Sequence, residues 1–216
     1  YDSDRLLESV RDTHTQVVSP EMADVIVFNT CHIREKAAEK IYSELGKIKK
    51  IKNTNLEAKL IITGCVAQAE GKEMIKRQPI IDAVIGPQMY HKFKNIVEQG
   101  NNKKVMELEF ESNKKFKALQ KKRSIFSRSA FVTIQEGCDK FCSFCVVPFT
   151  RGAESSRKVK DIFDEVKYLV KNGCNEVILL GQNVNAYHGL DNENEEINLA
   201  QLISTVEKIE GLKRIS

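Results

Sequence analysis

At 216 residues, with 41% hydrophobic and 30% charged side chains, the chain carries enough apolar material for one or two packed cores, which excludes a disordered chain. Apolar runs such as Val25 to Phe28 and Val177 to Leu180 fall far short of the roughly 20 residues that cross a bilayer, so no transmembrane helix is expected. The net charge of +4 is mild but unevenly spread: residues 112–128 hold seven basic residues and no acidic one, while residues 191–196 are locally acidic.

In chain order, Asp24 to Asn29 and Lys59 to Thr63 read as buried strands, with Asp82 to Ile85 a shorter third. Between the first two, Ile33, Ala37, Ile41 and Leu45 recur at helical spacing, and Gly46 is the expected stop. Met89, Phe93, Ile96 and Val97 mark a further helix closed by Gly100. This alternation is that of a parallel α/β layer. Residues 111–129 are polar, basic and without apolar periodicity, so they read as a linker between an amino-terminal domain over 1–110 and a second domain over 130–216.

In the second domain, Phe131 to Ile134 reads as a strand that delivers Gly137 and Cys138 at its carboxyl end, where α/β folds place reactive loops. Ser156 is expected to cap the next helix, whose stripe is Val159, Ile162, Phe163, Val166 and Leu169, before Gly173 ends it. Glu176 to Leu180 is the following strand. Asn198 then caps a helix carrying Leu199, Leu202, Ile203, Val206 and Ile209, with Gly211 as its stop. Repeated βα order without a hairpin signal fits the opening units of a (β/α) barrel. The chain starts at Tyr1 without Met or a leader pattern, and Leu212 to Ser216 reads as the opening of a strand. Further sequence is therefore expected on both sides, and a cytoplasmic location.

Six cysteines stand at positions 31, 65, 138, 142, 145 and 174, three of them within eight residues. Such clustering points to metal binding or catalysis rather than to a disulfide scaffold. Cys138, Cys142 and Cys145 form a C-x3-C-x2-C loop. Three thiolates at this spacing can hold three corners of a cubane 4Fe–4S cluster and leave the fourth iron open to a substrate. A zinc knot needs a fourth ligand, and the nearest further Cys or His in the sequence is Cys174. Phe141, Phe144 and Phe149 fit either a dry wall about a cluster or ordinary core.

Cys31 and Cys65 each follow a predicted strand, so parallel neighbours would bring both to one sheet edge, as the start of a metal site or as inert buried thiols. Gln182, Asn183 and Asn185 follow a strand as well. They fit contacts at a barrel mouth or plain turn chemistry. Arg151 offers a planar fork for a carboxylate or phosphate, or is a solvated surface arginine. The stretch Lys114 to Arg128 can meet nucleic-acid phosphates or serve as a solvated linker. Cys174 reads as a small hydrophobe, and His14, His91 and His188 have no ligand-spaced partner.

The Cys138 to Cys145 loop resembles that of the radical S-adenosylmethionine superfamily, and Val146 to Gly152 (VVPFTRG) is similar to the stretch found in its methylthiotransferase branch. Asn29 to Lys36 (NTCHIREK), Gly86-Pro87-Gln88 and Leu180 to Tyr187 (LGQNVNAY) are similar to the members acting on N6-isopentenyladenosine in tRNA. The resemblance runs over nearly the whole chain.

The fold it implies is a flavodoxin-like parallel α/β methylthiotransferase domain, followed by the first part of a radical SAM (β/α) barrel. Two 4Fe–4S clusters and S-adenosylmethionine are implied as cofactors. One cluster would sit on Cys138, Cys142 and Cys145 and bind S-adenosylmethionine at its open iron, the source of a 5′-deoxyadenosyl radical. An auxiliary cluster would sit on Cys31, Cys65 and a third cysteine upstream of Tyr1. Arg151, Gln182 and Asn183 would contact S-adenosylmethionine or substrate.

The implied reaction is methylthiolation of C2 of N6-isopentenyladenosine beside the anticodon. The implied partners are tRNA and an electron donor such as flavodoxin or ferredoxin, with no membrane and a monomeric protein. Alternatives are methylthiolation of threonylcarbamoyladenosine in tRNA or of a ribosomal-protein aspartate. From a different class comes a zinc-dependent RNA-binding module on the same cysteines.

Overall fold

The computed structural model describes residues 1–32, 35–100, 103–110, 116 and 127–216, with residues 35–38 described by backbone alone. Residues 111–115 and 117–126 of the expected basic linker lie outside the described residues. The chain divides into two compact units, Tyr1–Ala118 with Cys142–Arg151, and Leu119–Phe141 with Gly152–Ser216. No helix among the described residues is long and apolar enough to cross a membrane.

In the first unit, strands β1 (Val25–Thr30), β2 (Lys59–Gly64), β3 (Ala83–Ile85) and β4 (Val105–Glu107) form one parallel sheet in the order β1-β2-β3-β4. All six residues of β2 are buried, as a parallel strand covered on both faces requires. Successive side chains point to opposite faces. Leu60 and Ile62 therefore pack with Ile41, Leu45 and Ile48 of α2 (Glu35–Thr54) and with Val66 and Met74 of α3 (Cys65–Arg77). Ile61, Ala83 and Ile85 pack on the opposite face with Leu6 and Val10 of α1 (Asp2–Val10) and with Phe93, Ile96 and Val97 of α4 (Phe93–Glu98).

Gly46 does not stop α2, which runs on to Thr54. A Cβ at Gly46 would meet nothing within 4 Å, and Leu45 and Ile48 on either side are buried. Core packing along the helix outweighs the ~1 kcal/mol that glycine costs relative to alanine. Met89 lies in a 3-10 turn over Pro87–Lys92, immediately before α4. The buried Lys59 ammonium donates to the Ile96 carbonyl at 2.7 Å and to the carbonyls of Val97 and Gln99, satisfying acceptors that the end of α4 leaves open. Burial holds its pKa below the ordinary lysine value. The short helix α5 (Val147–Arg151) also belongs to this unit.

In the second unit, β5 (Ser129–Thr133), β8 (Glu176–Leu180) and β11 (Arg214–Ile215) form a parallel sheet in the order β11-β8-β5. Helices α6 (Val159–Lys171) and α7 (Leu199–Val206) bury Ile162, Val166, Leu169, Leu202 and Val206 against Val132, Val177 and Leu179. Parallel strands side by side in chain order, with a helix between each strand and the next, are the opening of a (β/α) barrel. Asn198 caps α7 as its sequence implied: Gln201 N donates to Asn198 Oδ1 at 3.0 Å, and Asn198 N donates to Gln201 Oε1 at 2.8 Å.

Two expectations fail in this unit. Ser156 does not cap α6, which starts after Lys158 with no side-chain cap bond. It lies instead in β7 (Ser155–Ser156), paired antiparallel with β6 (Gln135–Glu136). Antiparallel pairing also joins β9 (His188–Leu190) to β10 (Glu196–Asn198), so the unit is not free of such ladders. The β6–β7 pair encloses the long cysteine-bearing excursion, so no local turn signal announces it.

Candidate functional site

At the carboxyl edge of the first unit's sheet, the parallel register pairs Thr30 with Gly64. Cys31 and Cys65, the next residues, therefore leave neighbouring strands side by side. Thr30 Oγ1 donates to the Thr63 carbonyl at 2.6 Å. Gly64 has φ +93°, and a Cβ there would stand 2.2 Å from the Thr30 carbonyl oxygen, so glycine is what lets these two strand ends close up. Cys31 is exposed and Cys65, first residue of α3, is half-buried.

The same edge gathers polar groups from elsewhere in the unit. Asn29 Nδ2 donates to Ser3 Oγ at 3.0 Å, which brings the residues of the α1 start to the Cys31 strand end. Arg151 Nη2 pairs with Asp2 Oδ2 at 2.5 Å, and the Gln88 side-chain amide donates to the Arg151 carbonyl. Burial, reinforced by the Asp2 carboxylate, pushes the Tyr90 hydroxyl far above the ordinary phenol range.

Within Cys142–Arg151, Cys145 N donates to the Cys142 carbonyl at 2.9 Å, a turn that leads into α5. Cys142 is exposed and Cys145 half-buried. Of the two readings of the phenylalanines, ordinary core is not observed, since Phe144 is 92% exposed, Phe149 68% and Phe141 64%. Phe141 also sits at φ +46°, a left-handed conformation that non-glycine residues seldom adopt.

In the second unit, Cys138 is buried at the start of the excursion between β6 and β7. Gln182 and Asn183 lie just beyond β8, as read from sequence, and both reach the chain next to Cys138. Gly137 N donates to Gln182 Oε1 at 2.6 Å, and Asn183 N donates to Gln135 Oε1 at 3.1 Å. Asn185 is exposed. Cys174 is a structural thiol, donating to the Glu176 carbonyl at 3.0 Å. Sequence reasoning missed Gln135; an amide side chain directly after the strand-like run Phe131 to Ile134 was the available signal.

Among the described residues, no three His, Cys, Asp or Glu side chains stand together as ligands of one metal ion. A cubane cluster binds its thiolates on separate irons, which holds them farther apart than the ligands of a single tetrahedral ion. The donor set suits that geometry: three free thiols within one eight-residue loop, two of them open to an incoming group.

Residues 1–86 match the family described as uncharacterized protein family UPF0004, and residues 132–215 match the radical SAM superfamily. A tRNA-2-methylthio-N(6)-dimethylallyladenosine synthase of Roseobacter denitrificans is 50% identical over 220 residues, an alignment that takes in 100% of this chain and 49% of the relative. The two matches thus fall on the two halves of the chain, and its whole length is similar to a synthase of that name. The synthase of the same name from a Jannaschia species is also 50% identical, over 100% of this chain and 47% of that protein.

The chain spans about half the length of the curated relatives it matches. A radical S-adenosylmethionine methyltransferase from Kitasatospora setae, TsrM, solved with cobalamin and a 4Fe–4S cluster bound, aligns at a TM-score of 0.53 and 14% identity over 86% of this chain and 45% of that one. That likeness is one of fold.

Proposed function

We propose that the protein is a tRNA methylthiotransferase that places a methylthio group on C2 of N6-isopentenyladenosine. The observation that carries this reading is the 50% identity, across the whole chain, to synthases of that product. In the proposed site Cys138, Cys142 and Cys145 hold one 4Fe–4S cluster, which binds S-adenosylmethionine. Cys31 and Cys65 hold two corners of an auxiliary cluster. Its third thiolate belongs to the longer protein, near the edge that the Asn29–Ser3 bond marks. When bound, these groups supply a carbon radical that removes hydrogen from an unactivated carbon, together with the sulfur to be transferred.

The chain's own residues supply ligands and orientation. Gly64 lets the Cys31 and Cys65 strand ends lie side by side, and the Gln88 and Asp2 contacts to Arg151 anchor the end of the segment carrying Cys142 and Cys145. Arg151 pairs with Asp2, Gln182 Oε1 accepts from Gly137 N, and the Asn183 backbone N–H is held by the Gln135 side chain. In this reading all three stand beside the cluster sites as contacts for S-adenosylmethionine or substrate. The tRNA is the nucleic-acid partner, a flavodoxin or ferredoxin the electron donor, and the cytoplasm the compartment.

Nucleoside analysis of tRNA from a strain lacking the gene tests the substrate. Loss of the 2-methylthio-isopentenyl nucleoside with accumulation of its isopentenyl precursor is expected. Its persistence, with loss of the threonylcarbamoyl counterpart or of the ribosomal-protein modification, would move the assignment to that substrate. Stoichiometric zinc in a colourless full-length protein would favour the RNA-binding module instead.

A further inference from the structure

We infer that Gln135 and Gln182 are positioning residues that fix the Gly137 peptide, and through it the direction of the Cys138 thiol. The inference deepens the reading of Cys138 as a cluster ligand and rests on it. Ladder pairing between β6 and β7 ends at Glu136 opposite Ser155, so the next residue has no strand partner for its backbone groups. Two glutamine side chains take their place. Gln135 Nε2 donates to the Gly137 carbonyl at 2.7 Å, and Gln182 Oε1 accepts from Gly137 N at 2.6 Å.

Gln135 is fully buried, where an amide is tolerated only if its polar atoms are bonded. Its second arm, Oε1, accepts from Asn183 N at 3.1 Å, which ties the cysteine strand to the loop after β8. Room for that oxygen is built in, because a Cβ at Gly181 would stand 2.6 Å from it.

The opposite side of Gly137 is equally constrained. A Cβ at this residue, whose φ is +84°, would lie 2.1 Å from the Ala153 carbonyl oxygen and 2.5 Å from that of Gly152. Cys138 N donates to the Gly152 carbonyl at 3.2 Å, and Glu154 N donates to Asp139 Oδ1 at 3.0 Å. The backbone on both sides of Cys138 is thus pinned by hydrogen bonds that no regular element demands. A thiolate that must meet one corner of a cluster needs this, since groups behind a ligand set its orientation and its hold on the metal.

The test uses the full-length protein, reconstituted anaerobically with iron and sulfide, in a Cys31→Ala/Cys65→Ala background so that the colour reports one cluster. Wild type at the glutamines is compared with Gln182→Leu, Gln182→Glu and Gln135→Leu by chelator bleaching and by the electron paramagnetic resonance of the reduced cluster with and without S-adenosylmethionine. Melting of each apo protein is recorded alongside.

Gln182→Leu and Gln135→Leu should hold the cluster roughly 10- to 100-fold more weakly and alter the resonance. Gln182→Glu should stay near wild type, because a carboxylate still accepts from Gly137 N. The Gln182 side chain is exposed, so the melting of Gln182→Leu should not move. Bleaching and resonance unchanged in Gln182→Leu overturn the inference even if Gln135→Leu fails to fold. A colourless protein with both glutamines intact overturns the ligand reading beneath it.

Discussion

Arg151 Nη2 and Asp2 Oδ2 stand 2.5 Å apart although their residues are 149 positions apart in sequence. Both side chains are largely shielded from water, and the Arg151 carbonyl is held by Gln88 as well. The fork that arginine offers a carboxylate is therefore engaged within the protein. Arg151→Ala or Asp2→Ala should lower stability by about 1–3 kcal/mol, less than for a fully buried pair because some water reaches both groups. Denaturant midpoints of the two single variants and the double variant check this. A coupling energy near zero would show that the pair contributes nothing.

Arg157 and Glu165 form a more deeply buried pair, in which the guanidinium also donates to the carbonyls of Thr133 and Asp161 at 3.3 and 3.2 Å. Removing only the arginine deprives a buried carboxylate of its cation. Arg157→Ala is expected to cost about 3–5 kcal/mol, while the apolar double replacement Arg157→Met/Glu165→Leu should cost far less. Thermal unfolding of the three proteins checks the ordering.

Gly137→Ala combines a left-handed backbone with a Cβ driven against the Ala153 and Gly152 carbonyls. The conformation alone costs roughly 1–2 kcal/mol for a non-glycine residue, and the clash adds to it. A lower melting temperature with loss of bound iron is expected. Gly173→Ala serves as the control: its φ is +95°, but a Cβ there would meet nothing within 4 Å, so it should pay the backbone cost and keep its iron.

Burial, and then the hydrogen bond to Glu70 at 2.5 Å, push the Tyr42 hydroxyl up to about 12 from 10.0. The unfolded chain gives up this proton first as pH rises. The contribution to stability is therefore complete below pH 10 and is lost progressively as pH climbs to about 12. Tyr42→Phe should be less stable than wild type near neutral pH and should show a shallower alkaline loss. Denaturation midpoints across that range check it, and parallel curves for the two proteins would contradict it.

Much of the fold was legible because its signals are local. The continuous apolar run in Lys59 to Thr63 and the stripe from Val159 to Leu169 each specify buried surface within a few residues, and Asn198 carries its capping partner three positions on. The Gly46 stop and the Ser156 cap failed where tertiary contacts overrode local preference: α2 continues because its neighbours are buried, and Ser156 is drawn into pairing with Gln135. At the site, spacing singled out Cys138, Cys142 and Cys145 as the proposed ligand set. The roles of Gln135, Asp2 and Gln88 were not legible, because each has a partner, Asn183 for Gln135 and Arg151 for the other two, that sequence distance conceals.

In the proposed site Cys138, Cys142 and Cys145 hold a cluster with one iron open to S-adenosylmethionine. Reductive cleavage of S-adenosylmethionine by the anaerobically reconstituted full-length protein tests it most directly. Methionine and 5′-deoxyadenosine should form with the wild-type protein and fail to form with Cys138→Ala, Cys142→Ala or Cys145→Ala. Cleavage at the wild-type rate by any one of the three variants would contradict the account.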